Sequence, residues 1–384
     1  MARFVFATGS LAYGGAERHA VALINRLGER GHDCDAVYIK RCADLLDRLR
    51  LRSGAGAHCL DARRYFDVRA VGDFARHLSR LRPAAVVAAN PYALLYASLA
   101  LRQARLRAPL VVTYHSTRLL GAKERLQMLA YRALFWAADC TVFVSERQRR
   151  YCLRRGVGSV RNEVIHNGVD IDEFSVRCDA EACLDLRREL GFDASDYVIG
   201  ISALLRPEKN HAQLLDALAR LRQKAIAARA LLIGDGPMRA AIEARARALG
   251  IARDVVITGL QRDVRPFILA CDCMTLCSHT EAFSLAAIES MALGKPFVHS
   301  DVGGAAEMIV PGENGFLFPP RDTQAYADKL AMLSDRALAA SMGRAARAVV
   351  ETRFSEERMV DRYERLLLDE ICAHSAGAAA VAGG

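Results

Sequence analysis

Residues 273–299 read CMTLCSHTEAFSLAAIESMALGKPFVH, and this stretch decides how the chain folds. It opens with an apolar run of strand type, Cys273–Leu276, and closes with another, Phe297–His299. Between them a polar loop leads into a helical stretch that begins near Ser284, a residue type favoured at helix N-caps. Strand, helix and strand in succession are typical of a parallel sheet covered by helices.

The same alternation runs through most of the chain. Apolar, β-rich runs alternate with amphipathic helical segments such as Gly15–Arg30. Further strands are predicted at Phe4–Thr8, Cys34–Ile39, Ala84–Ala89, Leu110–Tyr114, Cys140–Val144, Glu163–His166, Val198–Ala203, Ala230–Ile233 and Val255–Thr258. We therefore expect an α/β fold in which two Rossmann-like, doubly wound domains face each other across a cleft.

The boundary between the domains is predicted after Gly168, because the Asn167-Gly168 pair is a turn signal. Residues 1–168 then form an N-terminal domain and residues 169–354 a C-terminal domain, of which 169–196 are a linker and lead-in. A final helix over 355–373 is expected to pack back towards the N-terminal domain. The Ala- and Gly-rich tail, 374–384, is expected to be disordered.

Composition excludes several classes of protein. With 384 residues, 52% hydrophobic and 25% charged, the chain is neither disordered, collagen-like nor a disulfide scaffold. The first ten residues contain too short an apolar run for a signal peptide, and Asn90-Pro91 interrupts the uncharged stretch Pro83–Leu101. We therefore expect a soluble cytoplasmic protein. Its eleven cysteines, including Cys271, Cys273 and Cys277, match no zinc spacing, so we expect reduced thiols.

Charge is distributed unevenly along the chain. Residues 1–170 carry a net charge of +14 and residues 171–384 a net charge of −5. The asymmetry indicates that the first half faces an anionic partner, such as a membrane surface, a pyrophosphate-linked lipid or a nucleic acid. Arginine outnumbers lysine by 47 to 6, so genomic composition is an alternative explanation for part of the excess.

Three loops carry groups suited to phosphate. Gly14 and Gly15 stand between the first strand and the first helix, where glycine lets the backbone approach a ligand and helix N–H groups face an anion. Arg206 and Lys209 follow the first strand of the C-terminal domain and together suit a diphosphate. Gly234 opens a Gly-x-Gly turn, but arginine replaces the third glycine of the dinucleotide fingerprint, so NAD is not favoured. Each loop alone is also consistent with a tight turn or with solvated charges.

Two carboxylates frame the helix of the opening stretch. Glu281 lies in the loop before the helix, and Glu289 lies in its second turn. Both can reach a ligand whose phosphates bind the N–H groups near Phe283, Ser284 and Leu285. Carboxylates accept hydrogen bonds from sugar hydroxyls, and this spacing suits a sugar and a ribose. Two solvated carboxylates at a helix start are the alternative.

Glu281 and Glu289 resemble the E-x₇-E element of retaining glycosyltransferases with two Rossmann-like domains, the GT-B fold. From Gly14 to about Phe354 the order of motifs is similar to glycosyltransferase family 4. The matching segments are Gly14-Gly15-Ala16-Glu17, Val144-Ser145-Glu146, His166–Asp170, Arg206–Asn210, Gly234–Pro237 and Gly312–Leu317. One position departs, because the family often has glycine after its first glutamate and this chain has Ala282.

The resemblance implies a role for each group. Arg206 and Lys209 would hold the donor diphosphate, Glu289 the nucleotide ribose and Glu281 the transferred sugar. His115, directly after a predicted strand, matches the family's active-site histidine, although a lone histidine is more often structural. The remaining donor-binding positions would be Gly14, Gly15, Gly234, Phe283, Ser284 and Leu285.

The resemblance also implies a function, a retaining glycosyltransferase whose donor is a UDP- or GDP-linked sugar. The N-terminal domain would bind the acceptor and the C-terminal domain the nucleotide sugar. Because Arg206 and Lys209 supply positive charge to the leaving group, no metal or other cofactor is expected. A small soluble acceptor and a nucleotide-sugar epimerase are the alternatives. A nucleic-acid-binding protein is disfavoured, because no such module and no aromatic stripe is present.

The charge of the N-terminal half suits a glycan or lipid-linked acceptor at the inner face of the cytoplasmic membrane, as in polysaccharide or lipopolysaccharide biosynthesis. The predicted contacts of this peripheral membrane protein are Lys40–Arg52, Arg102–Arg107 and Arg147–Arg155. Within the first of these, Cys42–Arg52 has an amphipathic pattern suited to a surface helix.

Overall fold

The computed structural model describes residues 1–115, 129, 132–175 and 180–382. The chain forms two compact units, residues 1–167 together with 356–384, and residues 168–355. The C-terminal unit is therefore an insertion between two parts of the N-terminal unit. Its two ends meet, because Val169 and Ser355 form a parallel β-bridge and the Val169 N–H donates to the Phe354 carbonyl at 3.0 Å.

The N-terminal unit is built on a seven-stranded parallel sheet in the order β3-β2-β1-β4-β5-β6-β7. Its strands are β1 (Arg3–Thr8), β2 (Asp33–Tyr38), β3 (Ala57–Cys59), β4 (Ala85–Ala88), β5 (Leu110–Tyr114), β6 (Cys140–Phe143) and β7 (Arg161–Val164). Its helices span Gly15–Glu29, Val68–Leu81, Pro91–Ala104, Glu146–Leu153 and Glu356–Ala382, and residues 132–136 are also helical. The strand order reverses between β1 and β4, and ligands bind at such switch points in open α/β sheets.

Both faces of this sheet are covered. Along β1 the side chains alternate, so that Val5 and Ala7 join one apolar cluster while Phe4 and Phe6 join another on the opposite face. The second cluster includes Tyr363 of the C-terminal helix Glu356–Ala382, whose hydroxyl lies 3.2 Å from the Thr113 Oγ1. Burial on both faces is typical of doubly wound parallel sheets.

The C-terminal unit repeats this design with a six-stranded parallel sheet in the order β10-β9-β8-β11-β12-β13. Its strands are β8 (Tyr197–Ser202), β9 (Ala228–Ile233), β10 (Val255–Ile257), β11 (Cys273–Leu276), β12 (Phe297–Ser300) and β13 (Gly315–Phe318). Its helices span Ala180–Glu189, His211–Gln223, Arg239–Ala248, Arg265–Leu269, Leu285–Ala292, Ala305–Met308, Thr323–Met332 and Arg336–Arg353. The switch point lies between β8 and β11.

Two strands escape the sequence prediction, β3 and β13. Both lie at a sheet edge, but so do β7 and β10, which were predicted, so the reasons are local to each strand. The segment Ala57–Cys59 is three residues long and half exposed, and Gly315–Phe318 lies within a segment that resembles a turn motif. The predicted linker also contains a helix, Ala180–Glu189.

The expected disordered tail is wrong over most of its length, because the C-terminal helix continues to Ala382. Alanine has the highest intrinsic helix propensity, which favours extension of a helix that has already formed. The observed helix begins at Glu356 and not at residue 355.

The predicted amphipathic surface helix over Cys42–Arg52 is also wrong. Only Leu46–Arg48 form a short 3-10 turn. Leu45 is fully buried against Leu11 and Val21, and its N–H donates to the Leu11 carbonyl at 2.8 Å. Leu45 and Leu49 therefore pack on the interior of the N-terminal unit, whereas Leu46 is 41% exposed. Within the described part of the chain, none of the helices combines the length and the apolar composition that a bilayer crossing requires.

Candidate functional site

The switch point of the C-terminal unit brings together side chains that are far apart in the sequence. Strand β11 pairs with β8, so the loops that follow these two strands lie side by side. Lys209, after β8, donates through its Nζ to the Oε1 of Glu281, after β11, at 2.6 Å. The two loops are also joined by their backbones, since the His279 N–H donates to the Glu208 carbonyl at 2.8 Å. The structure thus brings the basic loop and the first carboxylate together, and the roles predicted for these residues stay predictions.

Glu281 is held as an ionised, largely buried carboxylate. Its side chain is 12% exposed, and its Oε1 also accepts a hydrogen bond from the Ser278 hydroxyl at 2.7 Å. Burial, the largest single influence, would raise the pKa of Glu281, but the Lys209 ammonium, His299 and the Ser278 hydroxyl together outweigh it, and the net pKa lies below the ordinary value. The alternative of a solvated carboxylate is therefore wrong.

Arg206 differs from Lys209 in its surroundings. It is exposed, and among the described residues its guanidinium has no carboxylate partner. The turn Pro207–Lys209 follows it, and Asn210 ends that turn in a left-handed conformation with φ of 54°. An exposed guanidinium beside a buried ion pair can bind an anion without first breaking an internal contact.

Gly234 and Gly236 lie in close contact with the backbone that leads to Arg206. A side chain at Gly234 would collide with the Ala203 carbonyl, and one at Gly236 would collide with the Leu205 backbone. The Leu205 N–H donates to the Asp235 carbonyl at 2.9 Å. Close backbone approach therefore explains both glycines, and a direct donor contact at Gly234 remains a prediction.

The helix Leu285–Ala292 begins as expected. The Ser284 hydroxyl accepts a hydrogen bond from the Ala287 N–H at 3.2 Å and caps the helix. Phe283 is buried edge-on against Phe354, with ring centroids 5.3 Å apart. Glu289 lies in the second turn and is only 3% exposed, so it too departs from the solvated alternative. Contacts of Ser284, Phe283 and Leu285 with a donor remain predictions.

Two residues near Glu281 were missed in the sequence. Gly303 has a φ of 54°, and a side chain there would collide with the carbonyls of Glu281 and Ala282. His299 is fully buried, its Nδ1 lies 2.7 Å from the Ser300 carbonyl, and burial holds its pKa below the ordinary value although Glu281 opposes this. The sequence features that could have indicated these two residues are the glycine pair after β12 and the histidine near the end of that strand.

In the N-terminal unit, Gly14 and Gly15 begin the helix Gly15–Glu29, with Gly14 as its N-cap. The Glu17 carboxylate folds back over Gly14, so that a side chain at Gly14 would collide with its Oε2. Burial raises the pKa of Glu17. A carboxylate thus occupies the helix start at which an anionic ligand was expected, and that ligand would have to displace it.

His115 follows β5 and packs edge-on against His19, with ring centroids 4.7 Å apart. His19 in turn packs against Tyr363 at 5.3 Å. The Nε2 atoms of both histidines are buried, and neither has a hydrogen-bond partner among the residues that the structure describes. Burial lowers the pKa of His115 to about 4, and burial together with His115 lowers the pKa of His19. Both imidazoles are therefore neutral at pH 7.

Side chains that could ligate a metal ion are dispersed within the described ranges, and Cys271 and Cys277 are buried. No three His, Cys, Asp or Glu side chains among those residues converge on a point that could hold a metal ion. Burial raises the pKa of Cys271 and of Cys277 to about 12, so neither thiol ionises near neutral pH.

Two family models match the chain, one in each unit. The model described as Glycosyltransferase Family 4 matches residues 13–173, and the model described as Glycosyl transferases group 1 matches residues 184–349. EpsD of Bacillus subtilis (strain 168), which is named as a glycosyltransferase, is 31% identical over 274 residues, 69% of this chain and 71% of EpsD. The chain belongs to glycosyltransferase family 4. The predicted resemblance is confirmed.

Other relatives of this family 4 member differ in the acceptors that their names print. The N-acetyl-alpha-D-glucosaminyl L-malate synthase of Bacillus anthracis is 32% identical over 185 residues, and the match spans about half of each protein, 48%. The UDP-Gal:alpha-D-GlcNAc-diphosphoundecaprenol alpha-1,3-galactosyltransferase of Escherichia coli is 23% identical over 273 residues, 68% of this chain and 70% of that protein.

The fold of this family 4 chain also matches solved structures. The crystal structure of Anabaena HepE in complex with UDP and glucose superposes with a TM-score of 0.84, at 22% identity, over 96% of this chain and 100% of that chain. The predicted fold class, two Rossmann-like α/β domains of GT-B type, is confirmed. The roles of individual site residues stay predictions.

Proposed function

We propose that this glycosyltransferase is a retaining enzyme whose donor is a UDP- or GDP-linked sugar. Its acceptor is a lipid-linked, lipopolysaccharide or exopolysaccharide glycan at the inner face of the cytoplasmic membrane. The observation that carries the proposal is the Lys209–Glu281 ion pair beside the exposed Arg206 at the C-terminal switch point. One sugar-binding carboxylate and two cations are thereby held within adjoining loops.

The cations suit the leaving group. When the glycosidic bond to the diphosphate breaks, negative charge grows on the leaving oxygens, and preorganised cations stabilise it. Arg206 can bind the diphosphate with its planar fork, and Lys209 can share its protons between Glu281 and a phosphate oxygen. Two fixed cations near the diphosphate support a reaction that requires no metal ion or other cofactor.

The carboxylates suit the two sugars of the donor. Glu281 is ionised, so it can accept hydrogen bonds from hydroxyls of the transferred sugar and stabilise the positive charge that develops on its ring. Glu289, eight positions further along the chain, suits the ribose hydroxyls. Its burial in the helix Leu285–Ala292 fixes its position before a ligand arrives.

His115 contributes a neutral imidazole in this proposal. An imidazolium beside a sugar that acquires positive charge would raise the barrier, whereas a neutral ring can donate or accept a hydrogen bond without that cost. Its lowered pKa of about 4 keeps the ring neutral throughout the physiological range.

The acceptor is argued from charge and from relatives. The net charge of +14 over residues 1–170 favours an anionic partner, and the Escherichia coli relative is named for a diphosphoundecaprenol acceptor. The Bacillus anthracis relative is named for L-malate, which supports a small soluble acceptor as the second candidate. Both candidates use the same donor chemistry.

A donor screen tests the proposal. The purified protein is heated with UDP-, GDP-, dTDP- and ADP-linked sugars, because binding to the folded state alone raises stability by RT ln(1 + [L]/Kd). We expect UDP- or GDP-sugars alone to stabilise it, and expect slow donor hydrolysis that survives EDTA. The product is then made with lipid-linked and soluble acceptors, and proton NMR reads its anomeric configuration. Inversion, loss of activity in EDTA, or no stabilisation by any of these donors would each contradict a named part of the proposal.

A further inference from the structure

The amino ends of strands β5, β6 and β7 carry an exposed apolar and basic surface that the proposed reaction does not use. We call it the amino-edge surface and define it by Arg102, Arg107, Trp136, Arg154 and Val160. Arg107 precedes β5, Trp136 precedes β6 and Val160 precedes β7. His115, by contrast, follows β5 at the opposite edge of the sheet.

Two large apolar side chains of this surface face solvent. Trp136, the sole tryptophan of the chain, is 71% exposed, and Val160 is 95% exposed. They are neighbours, because the Ser159 hydroxyl donates to the Phe135 carbonyl at 2.7 Å. Tryptophan is seldom so exposed in water, and its amphipathic ring is enriched at membrane–water interfaces.

A cavity of about 630 Å³ opens beside them. Ala137, next to Trp136, lines it, and so do Arg102 and Arg107. Its apolar wall is formed by Leu101, Leu106, Ala108 and Leu110. The remaining lining residues are Ser98, Asp139, Ala373 and His374. Apolar walls with arginines suit a molecule that has both an apolar part and an anionic group.

The charge of the surface is mostly uncompensated. Within the described ranges, Arg102, Arg107 and Arg154 pair with no acidic side chain, and Arg155 stacks on the Tyr151 ring at 3.7 Å.

The nearby acids have other partners. The Asp139 Oδ2 accepts the Leu110 N–H at 2.7 Å, and Glu370 pairs with Arg161 at 3.2 Å. Arg161 also lies 4.0 Å from the exposed Asp369. Free guanidiniums around exposed apolar side chains complement an anionic lipid surface.

We propose that the amino-edge surface is the site at which this protein contacts an anionic phospholipid bilayer. Trp136 and Val160 enter the headgroup region, the arginines bind lipid phosphates, and the cavity takes the apolar part of one lipid. The proposal deepens the membrane location given above and rests on it for the choice of partner. It also selects among the three basic segments of the sequence, favouring Arg102–Arg107 and the end of Arg147–Arg155.

The single tryptophan makes the test specific. Full-length protein is mixed with phosphatidylcholine vesicles that contain either no anionic lipid or 30% phosphatidylglycerol. We expect co-sedimentation with the anionic vesicles only, a blue shift of Trp136 emission on binding, and quenching by lipids brominated on their acyl chains. Release in 1 M salt is expected, because the Debye length then falls to about 3 Å.

Matched variants sharpen the result. Trp136→Ala and the double variant Arg102→Ala/Arg107→Ala should each weaken vesicle binding about tenfold or more, since each lost arginine contact weakens binding about fivefold. The control is Arg63→Ala/Arg64→Ala, which removes two exposed arginines elsewhere on the same unit and should bind within about twofold of the wild type. Melting temperatures of all variants establish that they fold.

Each outcome decides something. Vesicle binding with unchanged Trp136 emission would move the contact away from this surface, and failure to bind anionic vesicles at low salt would overturn the proposal. Nucleotide-diphosphate binding is measured on the same samples. If it persists without vesicle binding, only this inference fails; if it is absent while vesicles still bind, the proposed enzyme function fails.

Discussion

The loops at the carboxyl ends of the two sheets differ in electrical character. In the C-terminal unit, Lys209 and Glu281 meet as an ion pair, and Arg206 adds a second cation. In the N-terminal unit, His115 after β5 and His19 meet as neutral, buried rings, and among the described residues their Nε2 atoms have no hydrogen-bond partner. The same sheet design thus offers one edge suited to a charged leaving group and another suited to groups that must not carry charge.

The loops of the two units also differ in how rigidly the neighbouring atoms hold them. In the C-terminal unit, Gly234 and Gly303 press on neighbouring backbone, which cannot move away. In the N-terminal unit, Gly14 is covered only by the end of the Glu17 side chain, which can rotate. We infer that the loops of the C-terminal unit are preorganised and that the N-terminal loop can adjust to a ligand.

The largest effect should follow from loss of either cation of the C-terminal unit. Arg206→Ala and Lys209→Ala should each lower kcat/KM about 100- to 1000-fold, which is about 2–4 kcal/mol of transition-state stabilisation. Arg206→Ala should leave stability unchanged, whereas Lys209→Ala should also lower it, because Glu281 then lacks its buried partner. Steady-state kinetics and urea unfolding measure the two effects.

The matched controls for the cations are Arg247→Ala and Lys224→Ala. Arg247 is exposed on the helix Arg239–Ala248, and Lys224 pairs with Asp328 at the surface, so each change should alter activity and stability little. Near-wild-type turnover in Arg206→Ala or Lys209→Ala would reject the diphosphate role of that residue.

The second effect separates the two carboxylates. Glu289→Gln should weaken binding of the nucleotide diphosphate and of the donor alike, by about 10- to 100-fold, because ribose is common to both. Glu281→Gln should slow transfer and leave nucleotide-diphosphate affinity within about twofold. Glutamine fills nearly the same volume, so calorimetry can compare folded proteins. The reverse pattern would show that the sugar and ribose assignments are exchanged.

The third effect tests the backbone support. Gly303→Ala should lower stability by about 2 kcal/mol or more and reduce turnover about tenfold, because its methyl group collides with the Glu281 carbonyl. Gly250 is the control, since it has a similar φ of 68° but open space around it. Gly250→Ala should cost only about 1 kcal/mol, the penalty of the left-handed conformation. Equal losses would mean that crowding at Gly303 is unimportant.

The smallest expected effect is on the loss of folding stability at acidic pH. The unfolded chain protonates His115 near pH 6.5, whereas burial keeps the folded pKa at about 4, so this contribution to stability is present above pH 6.5 and is lost as the pH falls towards 4. The contribution of His115 to the free energy of unfolding changes by at most about 1.4 kcal/mol for each pH unit. In urea titrations at pH 7, 6 and 5, His115→Gln should therefore lose less stability than the wild type. His374→Gln is the control, and a pH dependence of His115→Gln equal to that of the wild type would contradict a neutral buried ring.

Some elements could be predicted to the residue. Strands β5 and β11 have the bounds that the sequence predicts, because Pro109 precedes one short apolar run and Asp272 precedes the other. Strand β3 was missed because it is three residues long and half exposed, and β13 because it lies within a segment that resembles a turn motif. Cys42–Arg52 shows the converse, because its leucines look amphipathic but Leu45 is buried by the Leu11 loop.

The candidate site was predictable in part. Both residues were identified as candidates from their motifs, but their contact spans 72 positions of sequence and follows from the pairing of β8 with β11, which was not predicted. Gly303 was missed because its constraint is the distant carbonyl of Glu281. The Glu17 carboxylate at Gly14 was missed because its placement depends on a side-chain rotamer.

The insertion of one unit into the other has a consequence for biosynthesis. Ribosomes release residues 1–167 first, yet the layer that holds Phe4 and Phe6 receives Val360 and Tyr363 only after residues 168–355 have been made. At typical elongation rates that interval is on the order of ten seconds or more. During it this face of the first sheet is covered only in part, by Leu23, Ile24 and Leu27 of the helix Gly15–Glu29, and the remaining apolar surface is suited to chaperone binding. The C-terminal unit, whose synthesis begins second, can therefore complete its folding before the N-terminal unit does.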